Sequence, residues 1–282
     1  MKQAIGGNSG CEVSFIQDRL GNDIVKKFAT VGGGERLSRQ RNKHSVFYQF
    51  LSNHESICTP KITSSSPSSY EMEYFCGLDI PTFIDCNEIN SILSMIEALT
   101  SFVHEMISNC DIHEIDLKVI ERKINDLYDK VGKRIKIEKN DVTERINSAV
   151  RSTKIPVGLC HGDLTFSNVL IDKTGKICVF DFLDSFYETP MQDIVKLRQD
   201  TNFLWSKKIS SGDFDDTRYK IISAHMDKLI DSEFRSYDFY ANCYHSFQLI
   251  NFIRILPYIE EGSAKDNVVT SAIEKLWSEQ WI

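Results

Sequence analysis

The most informative stretch of the sequence is His161-Gly162-Asp163-Leu164-Thr165-Phe166-Ser167-Asn168, which Asp181 follows after a short interval. Between them lie the turn residues Asp172-Lys173-Thr174-Gly175-Lys176 and the apolar run Ile177-Cys178-Val179-Phe180. This pattern predicts a β-hairpin whose second strand ends at Asp181. The stretch thus combines a histidine, a carboxylate and an amide with a second carboxylate at the end of a strand.

The spacing His-x-Asp-x4-Asn is that of a catalytic loop for phosphoryl transfer. In such a loop an aspartate orients the acceptor hydroxyl and receives its proton, which makes Asp163 the candidate catalytic residue. Asn168 and Asp181 offer hard oxygen ligands for Mg²⁺, and two suffice because nucleotide phosphates and water complete the coordination shell. His161 is expected to form structural hydrogen bonds within the loop.

Composition excludes several classes of protein. With 41% hydrophobic and 26% charged residues, the sequence is neither disordered nor fibrous. The formal net charge of −7 argues against nucleic acid or an anionic membrane as the main partner. No apolar run approaches the roughly 18–20 residues of a membrane span, and no signal-peptide core is present. The eight scattered cysteines are typical of reduced, buried thiols and predict a cytoplasmic location.

The first 75 residues carry β-prone runs separated by turn signals. Turns are predicted at 20–23 and in the serine-rich segment 64–69, and one helix fits 37–51. The predicted strands cover 13–16, 24–28, 57–63 and 70–75.

Helical periodicity dominates the remainder of the chain. The predicted helices cover 89–106, 115–135 and 142–150, and most of the chain from 192 onward, with breaks near 210–212 and Pro257. The predicted fold class is therefore α+β with two lobes. A small β-rich lobe covers 1–76, with a hinge at about 70–80. A larger, mainly helical lobe covers 77–282 and contains the catalytic hairpin at about 155–182.

The motifs His161-Gly162-Asp163-Leu164, Asn168-Val169-Leu170 and Phe180-Asp181-Phe182 resemble the aminoglycoside phosphotransferase and choline kinase superfamily, whose loops read His-Gly-Asp. The middle glycine is discriminating, because typical protein kinases place arginine there. The resemblance implies a bilobal, protein-kinase-like fold that uses ATP and Mg²⁺. It also implies that Asp193, within Thr189–Ile194, closes the active-site region and braces the catalytic loop. The strong motifs cover about residues 158–197.

Candidate nucleotide contacts lie at the start of the chain. The glycine-rich segment 6–10 precedes a strand, and Gly7, Ser9 and Gly10 are expected to place backbone N–H groups around the ATP phosphates. An ordinary loop is the alternative interpretation of this segment.

A lysine on the next strand should contact the α- and β-phosphates, and only one of Lys26 and Lys27 can do so because side chains alternate along a strand. Ile24-Val25-Lys26 matches the family's apolar-apolar-Lys pattern, which favours Lys26. The glutamate that usually pairs with this lysine is missing from the following helix, where residues 42–44 are Asn, Lys and His. His44 or a carboxylate from elsewhere is expected to take its place.

The segment Tyr70–Gly77 resembles the hinge strand of these kinases, whose backbone groups read the edge of adenine. Met72, Glu73 and Phe75 are candidate neighbours of the adenine ring, and ordinary core packing is the alternative for each. Asp184, just past the second carboxylate, is a candidate for the acceptor site. Further candidates for that site are Ser185, His245, Asn251, Arg254 and the aromatic residues of 237–247.

The sequence therefore predicts a kinase that transfers the γ-phosphate of ATP to a hydroxyl of a small metabolite by direct in-line attack. A sugar or an amino alcohol is the expected acceptor, and the family resemblance adds a precursor of a surface glycan. The alternatives are an antibiotic phosphotransferase of the aminoglycoside type and a nucleotide-binding pseudokinase or regulatory module. The missing helix glutamate points to the pseudokinase, whereas intact Asp163, Asn168 and Asp181 argue against it. The sequence leaves the choice between ATP and GTP and the oligomeric state open.

Overall fold

The structure, a computed structural model, describes residues 4–6, 11–17, 21–30, 32–210 and 212–281, with only the backbone of 4–6. The chain divides into two compact units. The first unit comprises Met1–Phe83 and Ser167–Asp184, and the second comprises Ile84–Phe166 and Ser185–Ile282. The predicted lobes, 1–76 and 77–282, stay a prediction. In the observed division, the β-hairpin that begins after Asn168 is part of the first unit.

The described strands, in chain order, are β1 (Ala4–Gly6), β2 (Cys11–Gln17), β3 (Asp23–Ala29), β4 (Ile57–Cys58), β5 (Ile62–Ser65), β6 (Ser69–Glu73), β7 (Leu78–Asp79), β8 (Asp111–Glu114), β9 (Lys154–Val157), β10 (Val169–Ile171) and β11 (Ile177–Val179). The described helices are α1 (Gly34–Phe50), α2 (Ile80–Cys86), α3 (Ile89–Ser108), α4 (Leu117–Val131), α5 (Lys139–Val150), α6 (Met191–Phe203), α7 (Trp205–Ile209), α8 (Asp216–Phe234), α9 (Asp238–Ile255) and α10 (Ala264–Ser278).

An antiparallel sheet with the order β1-β2-β3-β6-β5 forms the N-terminal part of the first unit, as far as the described residues show. Side chains alternate between its two faces, so Val25 of β3 lies opposite Met72 of β6 and both are buried. They pack in one apolar cluster with Leu37 of α1. The predicted strands 13–16 and 24–28, the helix over 37–51 and the serine-rich turn are confirmed.

The β10–β11 hairpin is the centre of a second sheet, with the order β4-β11-β10-β7 within the described residues. Its tight turn is closed by Asp172, whose carboxylate accepts the backbone N–H groups of Thr174 and Lys176, and by Gly175 at a φ of +86°. The predicted continuous strand 57–63 is wrong. Pro60 cannot donate to a ladder, so the chain breaks there and Ile57–Cys58 pairs with β11 instead.

The second unit is mainly helical. Helix α3 buries an apolar stripe that includes Ile92, Ile96 and Leu99, and helices α4 and α5 follow as predicted. A two-stranded pairing of β8 with β9 was not predicted, because all four residues of β8 are exposed and lack apolar alternation. Residues 154–157 thus pair with β8 and are not part of the catalytic hairpin.

The chain from Met191 onward is mostly helical, with interruptions at the predicted segment 210–212 and at Pro257. Helix α6 differs from the others because charged and polar side chains along its length are buried. The described helices include none that is long and apolar enough to cross a membrane. The predicted α+β fold, a small β-sheet region followed by a mostly helical remainder, is confirmed.

Candidate active site

Helix α6 holds the loop around Asp163 from both ends. The backbone N–H groups of His161 and Gly162 donate to the two carboxylate oxygens of Asp193 at 2.7 and 2.8 Å. The backbone N–H of Phe166 donates to Asp200 at 2.6 Å. Asp193 and Asp200 lie two turns apart on one face of the helix, so one rigid element fixes both ends of the loop. This contact is the one that the predicted bracing role of Asp193 requires, and the role itself stays a prediction.

The loop itself has a backbone that only certain residues tolerate. Gly162 has a φ of +84°, in the left-handed region where a side chain would be strained, which explains the need for glycine beside His161. His161 is completely buried, and its Nδ1 accepts the backbone N–H of Asp163 at 3.3 Å. That contact fits the structural role expected for the histidine.

The carboxylate of Asp163 is paired with a lysine from the face of helix α6 that carries Asp193 and Asp200. Lys196 Nζ lies 3.0 Å from Asp163 Oδ1, and the lysine side chain is only 5% exposed. Burial raises the pKa of Asp163, but the cations of Lys196 and Arg254 outweigh it, so the pKa is below its ordinary value. Asp163 is therefore ionised at neutral pH.

Asp200, one turn beyond Lys196, is a different kind of carboxylate. It is fully buried and accepts the backbone N–H of Ser206 at 2.6 Å in addition to that of Phe166. Burial raises its pKa to about 6, against the lowering effect of these hydrogen bonds and of Lys196. Asp200 thus positions backbone and is too enclosed to act on a substrate.

In the first unit, the β10–β11 hairpin brings Asn168 and Asp181 to the same end of its two strands. Val169 pairs with Val179, and the next residue, Phe180, donates its N–H to the carbonyl oxygen of Asn168 at 3.2 Å. Asp181 follows with a φ of +63°, a conformation that aspartate tolerates better than most residues. One carboxylate and one amide oxygen are the donors that Mg²⁺ takes, so the residues present fit that ion.

Lys27, and not the favoured Lys26, is the lysine that meets Asp181. Lys27 Nζ forms an ion pair with Asp181 Oδ1, and the lysine side chain is 4% exposed. Lys26 is 36% exposed and pairs with Glu71 at 2.9 Å. The two lysines lie on opposite faces of β3, and Lys27 shares the covered face with Val25. This placement favours Lys27 over Lys26 for the phosphate contact, which itself stays a prediction, because the apolar-apolar-Lys pattern does not show which face of the strand is covered.

Residues at the position of the missing helix glutamate form hydrogen bonds to backbone carbonyl groups. His44 is buried, and its Nε2 donates to the carbonyl oxygen of Pro60 at 2.6 Å. Lys43 Nζ donates to the carbonyl oxygen of Leu183 at 2.7 Å. The carboxylate that meets Lys27 is thus Asp181 itself, which lies elsewhere in the chain, and His44 does not substitute for the glutamate.

Several predicted contacts lie elsewhere or are not described. Gly7, Ser9 and Gly10 lie outside the described residues. Asp184 pairs with Arg39 of α1 at 2.5 Å, which ties the chain after Asp181 to that helix.

The three predicted adenine neighbours differ in their surroundings. Met72 is buried in the apolar cluster of the first sheet. Glu73 is exposed, and its backbone N–H donates to the carbonyl oxygen of Lys61 at 3.0 Å. Phe75 is half-buried and packs against Gly77. A Cβ atom added to Gly77 would lie only 2.9 Å from the ring of Phe75. Their roles toward adenine stay predictions.

The acceptor-site candidates in the last helices also differ in their surroundings. Asn251 Nδ2 donates to Gln199 of α6 at 2.7 Å, whereas His245 lies near Glu279 and stacks on Trp281. Most aromatic residues of 237–247 are buried and contact one another. Ordinary core packing describes these aromatic residues best.

Sequence reasoning missed Lys196 and Asp200. A signal for them exists, since Asp193, Lys196 and Asp200 are spaced three and four residues apart in a predicted helix and so share one face. Charged side chains on a helix face are usually exposed, and these become informative only because all three are buried.

Comparison with known proteins agrees with this geometry. Residues 114–218 match the sequence model of the phosphotransferase enzyme family. No curated protein matches the chain significantly. Among solved structures, the choline kinase LicA from Streptococcus pneumoniae is 14% identical, with a TM-score of 0.62, over 99% of this chain and 94% of that chain.

Two further solved structures are similar. A thermostable mutant of the aminoglycoside phosphotransferase APH(4)-Ia is 11% identical, with a TM-score of 0.64, over 98% of this chain and 93% of that chain. The streptomycin-ATP-APH(2")-IIa ternary complex is 16% identical, with a TM-score of 0.55, over 99% and 92%. At these identities the likeness shows the fold. The predicted kinase-like fold is confirmed, and the predicted superfamily resemblance agrees with the family match over residues 114–218.

Proposed function

We propose that the chain is an ATP- and Mg²⁺-dependent phosphotransferase that moves the γ-phosphate to a hydroxyl group of a small metabolite. A sugar or an amino alcohol, for instance a precursor of a surface glycan, is the proposed acceptor class. A cytoplasmic location is proposed from the eight cysteine thiols, four of which are buried.

The observation that carries the proposal is the ion pair between Lys27 and Asp181. It joins a lysine suited to phosphate binding with a carboxylate suited to Mg²⁺, on the covered face of a strand in the first unit. A pseudokinase has no need of such a pair. Although the helix glutamate is missing, Lys27 still has an acidic partner in Asp181. Binding of MgATP would replace this ion pair by contacts from Lys27 to phosphate oxygens and from Asp181 to the metal.

Asp163 is proposed as the residue that orients the acceptor hydroxyl and receives its proton. Its lowered pKa makes it a weak base, which suits a loose transition state in which the proton leaves the hydroxyl late. Lys196 fixes the direction of the carboxylate, and Asp193 fixes the loop that carries it. These contacts position Asp163 before any substrate arrives.

Asn168 and Asp181 are the residues that would hold Mg²⁺. When bound, the ion would neutralise the phosphate oxygens of the nucleotide. Lys27 adds a positive charge for the same phosphates, and Asp181 is kept near it by the ion pair. The streptomycin complex of the similar aminoglycoside phosphotransferase contains ATP, which supports ATP as the nucleotide.

The proposal is tested by following ADP release from MgATP over a library of sugars, amino alcohols and antibiotics. We expect at least one acceptor to give ADP release that depends on Mg²⁺ and on the acceptor. The variants Asp163→Ala and Asp181→Ala should both lose it while remaining folded. Near-normal turnover in both variants, or a folded protein that does not bind ATP, would contradict the proposal.

A further inference from the structure

A chain of side-chain contacts runs from Asp163 into the packing between helices α6 and α9 of the second unit. Lys196 Nζ lies 3.0 Å from Asp163 Oδ1 and 3.4 Å from the side-chain oxygen of Gln199. Asn251 of α9 donates to the same Gln199 oxygen at 2.7 Å. Lys196, Gln199 and Asn251 are all buried. The lysine that directs Asp163 is therefore itself in contact with a buried pair of amide side chains.

The surroundings of Lys196 make this contact matter. Lys196 and Gln199 are three residues apart on α6 and so share one face, which the bond from Asn251 shows to be turned toward α9. A buried ammonium group cannot rely on water, so it depends on the acceptors that the protein supplies. Among the described residues, Asp163 and Gln199 carry the acceptor oxygens within hydrogen-bonding distance of Lys196 Nζ.

The two amides have one orientation that suits the lysine. An ammonium group donates and cannot accept, so the Gln199 atom that faces Lys196 is the oxygen. The Asn251 atom 2.7 Å from this oxygen is then the nitrogen, which donates. In this orientation Gln199 Nε2 and Asn251 Oδ1 are buried without a hydrogen-bond partner among the described residues. Such an arrangement is unfavourable by itself, and the need of Lys196 for an acceptor accounts for it.

The charged groups that face Lys196 come from three elements: Asp163 on the loop, Asp200 on α6 and Arg254 on α9. Burial lowers the pKa of Lys196 and is the largest effect. Of the nearby charges, Asp163 and Asp200 raise this pKa and Arg254 lowers it. The pKa of Lys196 is below its ordinary value as a result, so the charged form of the lysine is sensitive to the loss of an acceptor.

We propose that Gln199 and Asn251 are positioning residues for phosphoryl transfer, which keep Lys196 charged and directed at Asp163. Gln199 supplies an oxygen to the ammonium group, and Asn251 holds that oxygen in place. Both amides act through the lysine and not on the substrate. The inference rests on the proposed function, because it concerns the carboxylate that is proposed to receive the proton of the hydroxyl.

The test replaces each amide by an apolar side chain of similar size. Gln199→Met removes the oxygen that faces Lys196, and Asn251→Leu removes the donor that holds this oxygen. Gln248→Met is the matched control. It removes another fully buried amide of helix α9, whose two polar atoms have no hydrogen-bond partner among the described residues.

The first measurement needs no substrate. Lysine that is isotope-labelled at Cε reports the protonation of each lysine in NMR spectra of the full-length chain, and the signal lost in Lys196→Met is that of Lys196. This signal should titrate at lower pH in Gln199→Met than in wild type, because the ammonium form loses an acceptor. Asn251→Leu should shift it in the same direction to a smaller extent, and Gln248→Met should leave it in place.

The second measurement follows ADP release from saturating MgATP, with water as the acceptor and with each compound of the acceptor library. At neutral pH, Gln199→Met should lower kcat about tenfold and Asn251→Leu about threefold, with the KM for MgATP within about twofold of wild type. The alkaline limb of the kcat profile should move to lower pH in both variants, because Lys196 loses its charge earlier. The acidic limb should stay in place, because Lys196 is charged there in every variant.

An unchanged titration of Lys196 in both variants, an unmoved alkaline limb, or an equal effect of Gln248→Met would overturn the inference, because the amides would then only pack α6 against α9. Should Gln199→Met fail to fold, Asn251→Leu provides the same test. If Lys196 shifts as expected in a protein that transfers no phosphate to water or to any compound of the library, the proposed function fails and the role of the two amides toward Lys196 stands.

Discussion

Asp163 and Asp181 each lie against a nearly buried lysine, yet their surroundings differ in kind. Asp163 sits on a loop whose two ends are tied to one helix, and its lysine comes from that same helix. Asp181 ends a short hairpin in a left-handed conformation, and its lysine comes from a strand of another sheet.

The difference fits the two proposed chemical tasks. A group that aligns a hydroxyl needs a fixed direction, which four contacts to one rigid helix provide. A metal ligand and a phosphate-binding lysine must exchange their mutual contact for an incoming nucleotide, so a single ion pair between them suffices. Substitutions at the two lysine–aspartate pairs test this difference.

Asp163→Asn should have the largest effect on catalysis. The amide has nearly the same shape but cannot accept the hydroxyl proton, so kcat should fall about 10²- to 10⁴-fold. The measurement is steady-state phosphoryl transfer, with circular dichroism as a check of folding. A fall of less than about threefold would show that Asp163 is not the proton acceptor.

The pair of variants Lys27→Met and Lys26→Met tests the assignment of the phosphate lysine. Removing a nearly buried cation that meets phosphate should lower kcat/KM for ATP about tenfold to a hundredfold. Lys26 is partly exposed and pairs with the partly exposed Glu71, so its loss should change kcat/KM by less than about twofold. The reverse order of effects would restore Lys26 as the phosphate lysine.

Lys196→Met should change the pH dependence of catalysis. Without the lysine, burial acts on Asp163 with less opposition, so its pKa rises and the carboxylate is protonated at higher pH. The acidic limb of the kcat profile should therefore move toward higher pH. Loss of the contact that positions the carboxylate should in addition lower kcat at neutral pH about tenfold. Lys265→Met, at an exposed site on α10, should leave the profile in place. An unmoved limb in Lys196→Met would mean that the lysine only supports the fold.

Asp200 should affect stability and not chemistry. Its pKa is raised from 3.8 to about 6 in the folded protein, so the folded state holds the proton more tightly than the unfolded state. The resulting stability is present below about pH 4 and is lost as the pH rises through about 6. In urea unfolding between pH 4.5 and 7.5, Asp200→Asn should gain about 2 kcal/mol relative to wild type as the pH rises. If the difference in unfolding free energy between Asp200→Asn and wild type does not change with pH, the pKa of Asp200 is not raised in the folded protein.

Local sequence spacing predicted the parts of this molecule that local backbone determines. The turn at 172–176 and the strand that leads to Asp181 follow from turn chemistry and strand periodicity and are confirmed, whereas the predicted start of the hairpin at about 155 is wrong. The break at Pro60 could also have been predicted from the sequence, since proline has no backbone N–H to donate to a neighbouring strand.

Other features depend on packing between elements that lie far apart in the chain. Choosing Lys27 over Lys26 requires knowing which face of β3 is covered, and the two residues are chemically identical. Lys196 looks like an ordinary charged residue of a helix until the helix is found to be buried. The polar strand β8 has no apolar alternation and exists because β9 pairs with it.

The affinity for ATP in the presence of Mg²⁺ and of EDTA, measured for Asp163→Asn and Asp181→Asn, separates the two aspartates. The metal is proposed to bind at Asp181, and the proton is proposed to go to Asp163. Asp163→Asn should therefore keep the wild-type Kd for MgATP, whereas Asp181→Asn should bind ATP equally with and without Mg²⁺. Tightening by Mg²⁺ that survives in Asp181→Asn, or that disappears in Asp163→Asn, would contradict the separation of the two aspartates into different tasks.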